Sequence, residues 1–90
     1  MSAASRQVTL VNVRGLHARA SAKFVGLAST LSIPVIVARD GQNVVGTSIM
    51  GLMMLGVACG DTIRISAEGE GASQAVDTMA GLVESGFGEG

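Results

Sequence analysis

Ninety residues are enough for one compact core but not two, so a single domain over residues 1–90 is expected, with 1–5 and 86–90 as loose ends. Six Lys and Arg against seven Asp and Glu give a formal net charge of -1, and the aromatics are two Phe with no Tyr or Trp. That composition excludes a basic or base-stacking surface and so argues against nucleic-acid binding. Gln7 to Val13 alternates apolar and polar side chains and reads as a first strand, ending near Arg14-Gly15. From Ala18 to Thr30 the period becomes helical, with Ala20, Phe24, Leu27, Ala28 and Leu31 on one face. Pro34 opens a second strand over Val35 to Ala38, and Asp40-Gly41 is a hairpin-turn signal leading into a third over Asn43 to Val45. Ser48 to Leu55 is a short, Met-rich helix, and Thr62 to Ala67 alternates as a fourth strand. The last helix places Ala72, Ala75, Val76, Met79, Leu82 and Val83 on one face. The order βαββαβα suits an α+β fold: a largely antiparallel sheet with helices packed on one face.

No apolar run approaches the roughly 20 residues that span a bilayer, so no membrane insertion is expected. Met1 to Arg6 lacks the apolar core of a secretory signal, and cytosol is the expected compartment. Cys59 is the single cysteine, a buried or loop filler rather than a reactive thiol. No metal-ligand spacing exists, and neither a metal nor a cofactor is expected. Glu68-Gly69-Glu70-Gly71 reads as a solvated turn.

Two segments carry chemistry. His17, the only histidine, lies in Gly15-Leu16-His17-Ala18-Arg19 at the junction of the first strand and first helix. A helix start offers unpaired N–H groups and the positive end of the macrodipole, which together stabilise an anion held there. An ordinary imidazole is largely neutral at pH 7 and therefore nucleophilic. Arg14 and Arg19 supply guanidinium donors for phosphoryl oxygens, and Gly15 lets the chain turn closely. The pentapeptide alone favours the plainer reading, a polar residue closing a helix end. The second segment, Thr47 to Leu55, is apolar nearly all round, so Ile49, Met50 and Met53 should reach solvent as a docking surface unless the segment simply packs on the sheet. Ser48 should cap this helix, and a phosphate on it would add charge beside that surface.

These residues resemble the HPr family, the histidine-containing phosphocarriers of the bacterial phosphoenolpyruvate-dependent phosphotransferase system. Gly15-Leu16-His17-Ala18-Arg19 resembles the phosphorylation motif, Ser48-Ile49-Met50-Gly51 the regulatory serine segment, and Ile65-Ser66-Ala67-Glu68-Gly69-Glu70 the end of the fourth strand. The resemblance implies an open-faced sandwich, a four-stranded antiparallel sheet under three helices. It implies that Nδ1 of His17 accepts a phosphoryl group from enzyme I and passes it to an EIIA-type protein. Arg19 would assist, with Gly15, Ala18 and Arg14 supporting the phosphate. Ser48 would be the target of an HPr kinase/phosphorylase, and Ile49, Met50 and Met53 would form the shared docking patch. The protein would act as a monomer and not as a free-standing catalyst.

Three positions depart from the family pattern. Ala20 stands where proline is common, Arg14 where Asn is frequent, and Thr47 where Lys or Arg precedes the serine. Such variants resemble those of alphaproteobacterial members, in which the pathway is regulatory, of the nitrogen type, rather than sugar-importing. The alternative reading is a regulatory binding module of carbon or nitrogen metabolism that works through contacts alone; relatives of that kind lose the histidine, and this chain keeps it.

Overall fold

The computed structural model describes residues 2–89. Four strands, β1 (Ala3–Thr9), β2 (Ile36–Arg39), β3 (Gln42–Val45) and β4 (Thr62–Glu68), form one sheet in the order β1-β4-β2-β3. Every neighbouring pair is antiparallel. Three helices, α1 (Ala18–Ala28), α2 (Ile49–Met54) and α3 (Ala72–Glu84), cover one face. The alternation in β4 explains the layering. Ile63, Ile65 and Ala67 are buried under the helices, whereas Thr62, Arg64 and Glu68 face the open side. Val8 pairs with Ile63 and Val37 with Ile65, so the inward residues of three strands lie side by side. The opposite face carries Gln7 beside Arg64 and stays wet, as polar outward positions permit.

The helices supply the other half of the core. Ala20, Phe24 and Ala28 of α1 and Ala72, Ala75, Val76, Met79, Ala80 and Val83 of α3 are buried. Leu27, Leu31 and Leu82, expected in the core, are only partly buried against its rim. Between β2 and β3 the turn forms as its residues require, with Asp40 at φ 49° and Gly41 at φ 80°.

Three expectations need correction. The first strand is Ala3–Thr9 and not Gln7 to Val13. Beyond Thr9, which pairs with Thr62 at the start of β4, only Leu10 still bonds across, to Asp61 and Gly60 of the turn before β4, and the strand ladder ends there. The chain nevertheless continues to bury alternate residues, Leu10 and Asn12 but not Val11 or Val13, so the period of two outlasts the strand. At the other end, Ala3 to Ser5 are not a loose lead-in: they pair with Glu68 to Ser66. A ladder of backbone hydrogen bonds forms there regardless of the small side chains that gave no pattern. The C-terminal segment is not loose either. Gly86–Gly88 forms a 3-10 turn, and Phe87 within it is 2% exposed at φ 59°. Large apolar area removed from water offsets an uncommon backbone conformation. Residues 1 and 90 of the expected loose ends lie outside the described residues. Cys59 is exposed, in the loop before β4.

Candidate functional site

The site is built on two loops that brace each other. Arg39 of β2 donates from Nη1 to the carbonyls of Leu55 (3.0 Å) and Gly56 (2.7 Å), and its Nη2 lies 3.0 Å from Oδ2 of Asp61. The same carboxylate oxygen accepts from the N–H of Ala58 at 2.9 Å. Asp61 thus closes the 55–61 loop. Against this loop lies the segment leading to α1. Leu10 N–H donates to the Asp61 carbonyl, Gly60 N–H to the Leu10 carbonyl, and Leu16 N–H to the Val57 carbonyl. Gly15 sits at the tightest point, at φ +62°, where a Cβ would fall 2.3 Å from the Val57 oxygen and 2.7 Å from the Ala58 Cα. Only glycine fits.

This brace delivers His17 to the N-cap of α1 in extended geometry, φ -74° and ψ -179°. Its carbonyl accepts the first helical bond, from Ser21, whose own hydroxyl is buried and donates to the Leu16 carbonyl. Nδ1 of His17 accepts from the backbone N–H of Arg19 at 3.3 Å. Ala18 occupies the first helical position and is exposed. Arg14 and Arg19 are also exposed, and with His17, Lys23 and Glu89 they surround one shallow depression. The cations expected from the sequence are therefore gathered at the histidine, together with Lys23.

The opposite edge of the ring meets a residue that sequence reasoning missed. Nε2 of His17 lies 2.9 Å from Oε2 of Glu89, and Oε1 of Glu89 accepts from Nδ2 of Asn12 at 3.1 Å. Asn12 also donates to the Gly15 carbonyl at 2.8 Å, and its buried Oδ1 has no partner among the described residues. The hydrogen bond to His17 holds the Glu89 carboxyl below its ordinary range; partial burial opposes this, and Asn12 and the charges of His17 and Lys23 reinforce it. Lys23 further donates to the Phe87 carbonyl at 2.8 Å. A signal for this strap was present: one of the chain's two Phe stands alone in the glycine-rich tail.

At the second helix start, Ser48 caps α2, accepting from the N–H of Gly51 at 3.0 Å. Leu52 is fully buried, but Ile49, Met50 and Met53 are exposed, and so is Met54, at 78% the most open of the four and not anticipated.

The family model for the "PTS HPr component phosphorylation site" matches residues 4–85. The chain belongs to the HPr family. It is 41% identical over 85 residues to the phosphocarrier protein HPr of Cupriavidus necator, covering 94% of this chain and 96% of that one. To the phosphocarrier protein NPr of Shewanella violacea it is 36% identical, covering 99% and 98%. HPr-C-His from Thermoanaerobacter tengcongensis superposes with a TM-score of 0.90 at 40% identity, over 97% of this chain and 98% of that one. Membership of the HPr family supports a phosphocarrier role in the phosphotransferase system, and the open sheet with three helices is the HPr fold. No described helix is long and apolar enough to cross a membrane.

Proposed function

We propose that this HPr-family protein is a cytoplasmic phosphocarrier whose acceptor atom is Nδ1 of His17, loaded by phosphorylated enzyme I and discharged to an EIIA-type protein. The observation that carries the reading is the placement of that nitrogen at the α1 N-cap, directed at the Arg19 N–H and flanked by Arg14, Arg19 and Lys23. In the transfer, the Nδ1 lone pair forms the new N–P bond while the bond from phosphorus to the donor nitrogen breaks, its electron pair staying on the donor. The phosphoryl oxygens then accept from the backbone N–H groups of the first turn of α1 and from the guanidinium groups of Arg14 and Arg19. Gly15 keeps the loop close enough for that geometry, and Ala18 at the first helical position leaves the approach open.

The exposed Ile49, Met50 and Met53 provide an apolar, adaptable surface for both partners, and Met54 extends it. Phosphorylation of Ser48 by an HPr kinase/phosphorylase would place two negative charges at the edge of that surface and weaken docking. A purely contact-based regulatory role has no observation in its favour that the phosphocarrier reading does not already use.

The test is the intact mass after incubation with phosphoenolpyruvate, magnesium and enzyme I. The protein should gain one acid-labile phosphoryl group, and His17→Ala should gain none. Labelling retained in the His17→Ala protein would remove His17 from the account; no gain in the unsubstituted protein with an active enzyme I would favour the regulatory module.

A further inference from the structure

Glu89 is held from three directions. Phe87 anchors the strap by burying its ring, Lys23 ties down the Phe87 carbonyl at 2.8 Å, and Gly88 at φ 72° turns the chain so that Glu89 points back at α1. Its two carboxylate oxygens then have separate partners, Oε1 with Asn12 and Oε2 with Nε2 of His17. Asn12 is itself buried and fixed to the Gly15 carbonyl, so the carboxylate is aimed by a rigid group and not by solvent. On the other edge of the imidazole, Nδ1 accepts a backbone N–H and must therefore present a lone pair. A neutral ring with an acceptor at Nδ1 carries its proton at Nε2, facing Glu89.

We infer that Glu89 is a positioning residue for His17: it holds the proton on Nε2, so that Nδ1 stays free to take the phosphoryl group. The inference rests on His17 being the acceptor. When the Nδ1–P bond forms, the ring keeps its Nε2 proton and acquires positive charge, and the carboxylate 2.9 Å away compensates it. When the phosphoryl group leaves for an acceptor, the N–P electron pair returns to Nδ1 and the ring becomes neutral again with no net proton transfer. The arrangement also separates like charges. The carboxylate lies at the Nε2 edge and the incoming anion at the Nδ1 edge, so the strap assists the ring without repelling the phosphoryl group.

The experiment uses the full chain with 15N-labelled histidine, read by NMR above the pH at which the ring is protonated. In the unphosphorylated protein, the imidazole shifts should report one tautomer, with the proton on Nε2. Glu89→Ala should give shifts averaged toward a mixture with the Nδ1–H form. Glu89→Gln keeps an acceptor of similar reach but loses the charge, which separates ring positioning from charge compensation. In phosphoryl transfer from enzyme I, both variants should lower kcat by about tenfold with little change in KM, because the carboxylate acts on the reacting ring and not on docking. A single Nε2–H tautomer that persists unchanged in Glu89→Ala, or kcat unchanged in both variants, would overturn the inference. The tautomer is read without any phosphoryl donor. A chain that shows the tautomer shift but takes no phosphoryl group would therefore keep Glu89 as the ring's positioner while rejecting His17 as the acceptor.

Discussion

Two helix starts in this protein are built alike and surrounded differently. His17 caps α1 through Nδ1 and Ser48 caps α2 through its hydroxyl, each accepting from a backbone N–H of the first turn. Around His17 stand Arg14, Arg19, Lys23 and Glu89; around Ser48 stand Ile49, Met50, Met53 and Met54. On the proposed function, the same local device serves two purposes. Charge gathered at α1 suits a nucleophile that takes up and releases an anion, whereas exposed methionine at α2 suits surfaces that must fit more than one protein. The supports differ too. The start of α1 is clamped by two loops and the C-terminal strap, while α2 is a helix of six residues held by its buried Leu52 and its cap.

The contrast can be tested by substitution. The largest effect should come from Gly15→Ala, where a Cβ would collide with the backbone of Val57 and Ala58 at a positive φ. Strain and overpacking together should cost about 3 kcal/mol, read by urea unfolding, and phosphoryl acceptance should fall with it because His17 moves. An unchanged midpoint would mean that the two loops do not brace each other. Met50→Glu should act only at the other start, weakening binding to enzyme I about tenfold by calorimetry with stability altered by less than about 0.5 kcal/mol, as expected of an open surface position. Ser48→Ala should lower stability by about 1 kcal/mol through the lost cap while leaving the rate of acceptance at His17 intact, and a slowed rate would show that the two helix starts are coupled.

The smallest effect should be in pH. The Glu89 carboxyl is held below its ordinary range by its hydrogen bond to His17, so the strap's contribution to stability is present above that ordinary range and is lost as pH falls through the lowered value. The backbone resonances of Gly88 and Glu89 should therefore shift in the acid range. Those of α2, which has no acidic residue in its first turn, should not. Equal shifts at both places would mean global acid unfolding rather than release of the strap.

Much of the site could be read before folding because its residues are local. Gly15, His17, Arg19, Ser48 and Gly51 lie within a few positions of the helix starts they serve, and helix capping is a short-range interaction whose chemistry shows in the residue types. Elements with strong periods were equally legible. The alternation of Thr62 to Ala67 and the Asp40-Gly41 turn appear where expected, β4 running one residue further. Alternation beyond Thr9 misled for a physical reason: an extended loop buries every second residue as a strand does, and the ladder ends only because the facing chain turns away at Gly60, after its two bonds to Leu10.

By itself, then, the sequence determined the order of elements, the placement of His17 and Ser48 at helix starts, and the sets of cationic and methionine side chains near each. Only the tertiary structure decided that Asp61 closes a loop through Arg39, that Lys23 joins the histidine, and that Glu89 faces its ring 72 positions away. Such contacts carry no periodicity or spacing in the chain. The last two arise because burying Phe87 against the core returns the C-terminal segment to the beginning of α1.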